Sequence, residues 1–349
     1  MKKIVFALMS VAAFIACSND EVIPSHNSAI EFNPTTKNSV RTITTTTNNI
    51  SKFNVWSYTA EGKTVMNNIE VSKATGEWAY SPVKYWPYDA TLDFYGITPT
   101  TLVGTGNGSV EHHIDVEVSA DAAKINFAGA SISDTRGEFF YCQNYPDILY
   151  ATALNLTKEN NNGTKVTMNF RHAMAQVEFK VKNSSTIDSE VSYQPSIVMI
   201  DGIDNAGTYT LPMASTTLDF AAGESHGSWT TSLSKEGVPH SFNVIPNYIA
   251  PGSDAVLITD ANDIHYVLPQ KKDDAELIVT FGVQQGEHFI EGVLKNVALP
   301  VDWKEGHKYT YTLVVNSAID PDLNDLIIDF DVTVDEMVIV PAQEIVFPN

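Results

Sequence analysis

Hydrophobic and polar residues alternate along most of this chain with a period of two, not the 3.6 of a helix. The alternating sets are Leu92/Phe94, Ile114/Val116/Val118, Val166/Met168/Phe170, Val177/Phe179/Val181, Leu277/Val279/Phe281/Val283, Tyr309/Tyr311/Leu313/Val315 and Leu326/Ile328/Phe330/Val332/Val334. This pattern is typical of strands with one buried face and one solvent-exposed face. Turn-forming Gly and Asn residues separate the sets, and the segment 119–130 leaves room for a short helix at most. The sequence therefore predicts an all-β, sandwich-like protein.

The alternation changes parity between Phe170 and Val177. Apolar residues occupy even positions in the segment 166–170 and odd positions in the segment 177–181. Because a slip of one residue moves every side chain of a strand to the opposite face, we expect a bend or a bulge between the two segments.

The first residues have the pattern of an export signal. Lys2 and Lys3 precede an apolar run, residues 4–15, and Ala16 and Cys17 follow directly after it. This run is shorter than the about 20 apolar residues of a membrane span. A small residue directly before Cys resembles a bacterial lipobox, in which the cysteine becomes the lipidated first residue. We therefore expect a lipoprotein tethered through Cys17 outside the cytoplasm; a plain secretory signal with an incidental cysteine is the alternative.

Charge and cysteine content limit the partners. The chain has 21 basic and 42 acidic residues, and loss of residues 1–16, with two lysines and no acid, changes its net charge from −21 to −23. So acidic a chain does not attract nucleic acid or an anionic membrane face, and we expect the membrane to be reached only through the lipid. Cys142 is the only other cysteine, so no intramolecular disulfide is expected, and we interpret Cys142 as a structural thiol.

Four segments follow from these patterns. The polar stretch 158–165 is the best candidate linker, and we place a domain boundary near Asn162. The stretch after Cys17 is too polar to pack, apart from a short apolar strand at Ile30 and Phe32. The predicted divisions are a lipoprotein signal peptide (1–16), a lipidated propeptide or linker (17–49), an amino-terminal β-sandwich (50–162) and a carboxyl-terminal β-sandwich with tail strands (163–349).

Several sequence blocks together resemble one known family. They are WAYSP at 78–82, KYWP at 84–87, LDFYG at 92–96, DILYA at 147–151, FRHAMAQV at 170–177 and WKEGHKYTY at 303–311. Their order and spacing, with the lipobox, resemble the fimbrillin-like lipoproteins of Bacteroidales, which are subunits and tip adhesins of type V pili. The resemblance covers almost the whole mature chain. It implies two tandem, transthyretin-like β-sandwich domains and an outer-membrane, cell-surface location.

The resemblance also implies an assembly mechanism. In that family a trypsin-like protease cuts after an arginine downstream of the lipidated cysteine, and the amino-terminal strand leaves a groove that a strand of the next subunit fills. Arg41 and Thr42 match the cut position, and Ile30 and Phe32 match the strand to be released. The alternative for Arg41 is a solvated residue of a Thr-rich linker.

The carboxyl end carries candidate donor residues. They are Met337, Ile339, Ile345 and Phe347. Stalk subunits of the family donate carboxyl-terminal strands to a neighbour, and this tail either does so or folds back onto its own sandwich. Many relatives carry Trp near the end where this chain has Met337, which leaves the choice between stalk, tip and anchor subunits open.

Catalytic and metal-binding motifs are set aside. Ser225 lies in a G-x-S-x-G pattern, which needs a strand-to-helix turn of an α/β sheet that this all-β sequence does not predict. The acidic segment 320–331 has calcium-loop spacings, but Asp325 replaces the glycine that such a loop needs. His112 and His113 point to opposite faces of a strand, so they do not share one metal ion. We expect no metal, no cofactor and no enzyme activity.

An aromatic platform for sugars is also considered. Trp78, Tyr80, Tyr85 and Trp86 lie close together in sequence, and we interpret them as core and strand-edge packing. The leading hypothesis is a fimbrial structural or adhesive subunit that assembles with other pilus subunits, in homo- or heteropolymers, and contacts a host or bacterial surface ligand. The alternative is a monomeric surface lipoprotein that binds a glycan or host ligand.

Overall fold

The computed structural model describes thirteen stretches of the chain. These are residues 25–36, 50–100, 113–129, 131–133, 139–141, 145–161, 165–185, 190–212, 227–233, 239–259, 265–317, 326–333 and 343–345. They form strands and contain no helix, which confirms the prediction of an all-β protein. Within these stretches no helix is long and apolar enough to cross a membrane.

The strands up to residue 172 include all those of the first large sheet. They are β1 (Ser25–Ala29), β2 (Phe32–Thr36), β3 (Lys52–Thr59), β4 (Thr64–Ala74), β5 (Glu77–Ala79), β6 (Tyr85–Pro87), β7 (Leu92–Thr98), β8 (His113–Val118), β9 (Ala123–Ala128), β10 (Ser131–Ser133), β11 (Phe139–Tyr141), β12 (Leu149–Leu156) and β13 (Val166–His172).

The later strands form most of two further sheets. They are β14 (Ala175–Asn183), β15 (Val191–Asp201), β16 (Ala206–Thr210), β17 (Ser228–Ser232), β18 (His240–Phe242), β19 (Val256–Leu257), β20 (His265–Val267), β21 (Lys271–Lys272), β22 (Glu276–Gln285), β23 (His288–Ala298), β24 (Val301–Asp302), β25 (Lys308–Ser317), β26 (Leu326–Thr333) and β27 (Gln343–Ile345).

A seven-stranded sheet in the order β2-β13-β12-β7-β3-β4-β5 has apolar side chains on both faces. Because successive residues of a strand face opposite sides, Phe94 and Tyr95 of β7 enter two different cores. Phe94 belongs to a core with Phe53 and Phe170, whereas Tyr95 belongs to a core with Tyr150. The sheet therefore supplies a wall to two separate apolar clusters.

The cluster around Tyr95 is closed by a four-stranded sheet in the order β17-β16-β9-β8. Its strand β9 occupies part of the segment 119–130, where the sequence left room for a short helix. That expectation is wrong, because Ala123, Ile125 and Phe127 are buried on alternate positions and Lys124 is exposed. A period of two over six residues places the apolar side chains on one face of a strand, whereas a helix would spread them around its axis.

Two sheets enclose the third core. One has the order β10-β11-β18-β15-β22-β23, and the other has the order β19-β14-β25-β26-β27, with β20 also paired to β14. Phe179 of β14 stacks on Tyr311 of β25 at 5.5 Å between ring centroids, and it meets Phe242 of β18 edge-on at 4.9 Å. The cluster is a β-sandwich core of the kind that the alternation predicted.

The parity change lies where the chain moves from one sheet to another. Strand β13 ends at His172 in the seven-stranded sheet, and β14 begins at Ala175 in the next. The expected bend is therefore present. Strands on both sides of residue 162 pair with each other, β12 with β13 and β9 with β16. The division into 50–162 and 163–349 stays a prediction.

Candidate assembly groove

The amino-terminal segment 25–36 forms the edge of the seven-stranded sheet. Strand β2 pairs in parallel with β13 over five residue pairs, from Phe32 opposite Val166 to Thr36 opposite Phe170. The backbone N–H of Val166 also donates a 2.7 Å hydrogen bond to the carbonyl oxygen of Glu31. The segment thereby satisfies backbone groups of β13 that an uncovered edge leaves open.

The first half of the segment contacts a different strand. Strand β1 pairs antiparallel with β6, and Ala29 lies opposite Tyr85. The N–H of Ile30 donates a 2.9 Å hydrogen bond to the carbonyl oxygen of Lys84. The chain therefore passes from β6 to β13 within residues 30 and 31, and one short segment lies along both strands.

Ile30 and Phe32 are inserted into the apolar core beneath the sheet. Ile30 is 1% exposed and Phe32 is 2% exposed. The ring of Phe32 meets Phe53 and Phe94 edge-on, with centroid distances of 6.1 and 5.9 Å. Full burial of side chains of this size stabilises by roughly 1.5–3 kcal/mol each. Pro34, two residues after Phe32, is buried as well.

Tyr80 contacts the segment through both its ring and its hydroxyl. Its ring centroid lies 5.6 Å from that of Phe32. Its hydroxyl donates a 2.7 Å hydrogen bond to the carbonyl oxygen of Ile30 and accepts a 3.2 Å bond from the N–H of Lys84. Burial raises the pKa of Tyr80, so the phenol stays protonated and remains a donor at physiological pH.

Ion pairs at the surface add little to this attachment. Lys165, directly before β13, contacts Glu31 at 3.4 Å and Glu77 at 3.3 Å. All three side chains are exposed, so water and salt screen the pairs. The segment is held mainly by backbone pairing and by Ile30 and Phe32.

This arrangement is a groove filled by a strand. Without residues 25–36, the edge of β13 loses its backbone partners and the cavity that holds Ile30 and Phe32 opens to solvent. Such a site binds an extended chain, because the strand edge supplies hydrogen bonds and the cavity supplies specificity for alternate apolar side chains. The sequence identified Ile30 and Phe32 but missed Tyr80 as a contact. The aromatic block at 78–87 was the available signal for it.

The carboxyl-terminal candidates are only partly within the described residues. Ile345 lies in β27, which pairs antiparallel with β26 and places Ile345 opposite Phe330. Met337, Ile339 and Phe347 lie outside the described residues, as do Cys17, Arg41, Thr42 and Cys142. Their roles stay predictions.

The motifs set aside earlier are only partly within the described residues. Ser225 and His112 lie outside the described residues, and His113 is an exposed residue of β8. In the described stretches no three potential metal ligands cluster together. Of the four aromatic residues considered as a sugar platform, Trp86 is buried and Trp78 and Tyr80 pack partly buried against the core, whereas Tyr85 is exposed. The platform therefore does not form at that place.

Comparison with known proteins gives a family and a fold. A family model described as fimbrillin-like matches residues 39–336. No curated protein matches the chain. The crystal structure of a fimbrial protein from Bacteroides vulgatus ATCC 8482 is similar, with a TM-score of 0.57, 15% sequence identity, and coverage of 88% of this chain and 99% of that one. The fimbrial anchor protein Mfa2 from Porphyromonas gingivalis has a TM-score of 0.38 and 9% identity, with coverage of 88% and 97%.

Proposed function

Because this chain belongs to the fimbrillin-like family, whose members are structural and adhesive proteins and not enzymes, we propose that it is a subunit of a cell-surface fimbrium. In this proposal it is exported as an outer-membrane lipoprotein through Cys17 and assembled by strand exchange. Its partners are other pilus subunits, and the lipid is its only contact with the membrane.

The observation that carries the proposal is the way in which residues 25–36 are held. Ile30 and Phe32 are nearly inaccessible to solvent, yet the segment is joined to β3 only through residues 37–49, which contain Arg41. A cut between Arg41 and Thr42 leaves the segment attached to the chain by non-covalent contacts alone. The groove can then exchange one strand for another.

The sequence of the tail resembles that of the strand it would replace. Ile345 and Phe347 repeat the Ile-x-Phe spacing of Ile30 and Phe32, and a proline follows each pair within two residues. In the described part of the tail, three residue pairs join β27 to β26. A tail that leaves this edge gives up that pairing and offers Ile345 and Phe347 to the groove of a neighbour.

The proposal is tested by controlled cleavage of the purified protein. A trypsin-like protease is added, the new amino terminus is identified by mass spectrometry, and polymer is followed by size-exclusion chromatography and electron microscopy. We expect chains that begin at Thr42, loss of residues 25–36, and polymer. Arg41→Gln is the matched control; because Lys37 lies in the same linker, the protease used is arginine-specific, and this variant should then stay uncut in residues 37–49 and monomeric.

A second variant tests the tail. Deletion of residues 335–349 should leave cleavage unchanged and abolish polymer, because the groove opens but no donor is supplied. Polymer of normal length from the deleted chain would contradict the donor role of the tail. A chain from the cell surface that starts at acylated Cys17 and stays monomeric would contradict strand exchange and support the monomeric lipoprotein instead.

A further inference from the structure

Two aromatic side chains that belong to none of the three cores face solvent beside the sheets that enclose the third core. Tyr248 is 51% exposed and Phe289 is 48% exposed. Their ring centroids lie 6.5 Å apart and their planes meet at 70°. The two rings form an open corner, and each keeps a large part of its apolar surface in water. Single exposed apolar residues are common, so the proximity of the two rings, and not their exposure alone, is the feature that suggests a ligand.

The corner is held in place by backbone contacts on both sides of Tyr248. Ile249, the next residue, exchanges two hydrogen bonds with Tyr193 of β15, at 2.8 and 3.2 Å. On the other side, the carbonyl oxygen of Pro246 accepts a 2.8 Å hydrogen bond from the side-chain amide of Gln194. Because hydrogen bonds hold the backbone on both sides of Tyr248, binding of a ligand costs little backbone entropy there.

Phe289 is positioned by a glycine. Its ring lies over the backbone of Gly282, where a Cβ atom would come within 2.8 Å of two ring carbons. The amide oxygen of Gln194 lies beside the same point, at 3.5 Å from that Cβ position. Gly282 therefore lets the ring lie against β22, and Gln194 adds a hydrogen-bond acceptor at the foot of the corner.

The chemistry of the corner favours a neutral carbohydrate. A sugar ring offers an apolar C–H face to an aromatic ring and hydroxyl groups to an amide or phenol, and the corner supplies both kinds of partner. Acidic ligands are disfavoured, since the chain carries a net charge of −21 and exposed Glu287 and Glu291 flank Phe289 in sequence. We propose that Tyr248, Phe289 and Gln194 form a binding site for one neutral hexose unit of a glycan.

The test uses the purified protein on arrayed neutral oligosaccharides that end in galactose, glucose or N-acetylglucosamine, followed by calorimetry with any that bind. We expect Tyr248→Ala and Phe289→Ala each to weaken binding about tenfold, the equivalent of one lost ring contact. Tyr248→Phe should weaken binding less than Tyr248→Ala, because it keeps the ring and loses only the hydrogen bond of the phenol. Tyr88→Ala is the matched control, since Tyr88 is 52% exposed at another place.

The outcomes separate this site from the assembly groove. All variants should polymerise after cleavage as the unchanged protein does, because the corner contains no residue of the segment 25–36 or of β13. Absence of binding to every arrayed glycan overturns the proposal, as does binding that both alanine variants retain within about twofold. Thermal unfolding of each variant shows whether it is folded. If Phe289→Ala does not fold, the result for Tyr248→Ala decides the test, because that substitution removes an exposed side chain.

Discussion

The hydroxyl of Tyr80 donates a 2.7 Å hydrogen bond to the carbonyl oxygen of Ile30, across 50 residues of sequence. The same hydroxyl accepts a hydrogen bond from Lys84 N–H, and the ring of Tyr80 lies against Phe32. Tyr80 therefore joins the segment 25–36 to the rest of the chain through both a hydrogen bond and a ring contact.

Tyr80→Phe should weaken the attachment of the segment by about 1 kcal/mol, the usual net value of one such hydrogen bond. The ring contact with Phe32 is kept, so the loss is that of the hydroxyl alone. Hydrogen exchange of the Ile30 and Val166 amides measures the effect, and both should exchange about fivefold faster. Tyr88→Phe is the control. Equal protection in Tyr80→Phe and the unchanged protein would contradict this role.

Phe32→Ala should release the segment far more readily than any surface change within it. Truncation of a buried phenylalanine typically costs about 3–5 kcal/mol, and Phe32 contacts three aromatic rings. Since the segment is a sheet edge, we expect local opening, seen as loss of amide protection at Val166, before global unfolding. Asn33→Ala, one residue further and exposed, should leave the protection unchanged.

Gly96→Ala should destabilise the wall of the groove. A Cβ at this position of β7 would lie 2.7 Å from Cε of Met168 and 3.1 Å from Cζ of Phe170. Overpacking of this kind costs about 1–3 kcal/mol. The double variant Gly96→Ala/Met168→Ala should lose less than the sum of the two single variants, because the shortened side chain vacates the space. Strict additivity in urea unfolding would show that Met168 is not the clashing group.

His307 should make stability depend on pH. Its ring is buried, and its Nδ1–H donates a 2.8 Å hydrogen bond to the carbonyl oxygen of Glu305. Burial, with a smaller contribution from the charge of Lys304, lowers the pKa of His307 below 6.5. As pH falls through about 6.5 the unfolded chain takes up a proton that the folded chain resists, so stability present at neutral pH is lost.

Urea unfolding at about pH 7.5 and about pH 5.5 measures this contribution. His307→Gln keeps a hydrogen-bond donor but does not titrate, so its stability should fall less over this interval than that of the unchanged protein. His113→Gln, at an exposed position of β8, is the matched control for the substitution itself. An identical fall in all three proteins would refute the assignment to His307.

The local pattern of the sequence was sufficient to predict the strands and the bend between two of them. Alternation in 166–170 and 177–181 depends only on which face of a strand is buried, and this information is contained in neighbouring residues. The change of parity therefore located the passage from β13 to β14 without any knowledge of their partners. For Ile30 and Phe32 the local pattern predicted only one short apolar strand, whereas the structure has two strands, β1 and β2, with Ile30 buried between them.

The local pattern could not predict which distant strands pair with each other. Nothing near Phe32 indicates that it lies parallel to Val166, and nothing near Tyr209 of β16 indicates that it lies opposite Ile125 of β9. Register between such strands is decided by side-chain packing across the whole sheet, which a single sequence does not display. Tyr80 was missed for the same reason, because its partner Ile30 is remote in sequence.

Strand β2 meets β13 side by side, in parallel, over five consecutive residue pairs. A force directed along β2 is shared by all of these pairs, and they must yield together. A force directed across the sheet acts on the terminal pair alone, and the pairs then yield one after another. Any chain lying in this place resists tension along its length much more strongly than it resists peeling from one end.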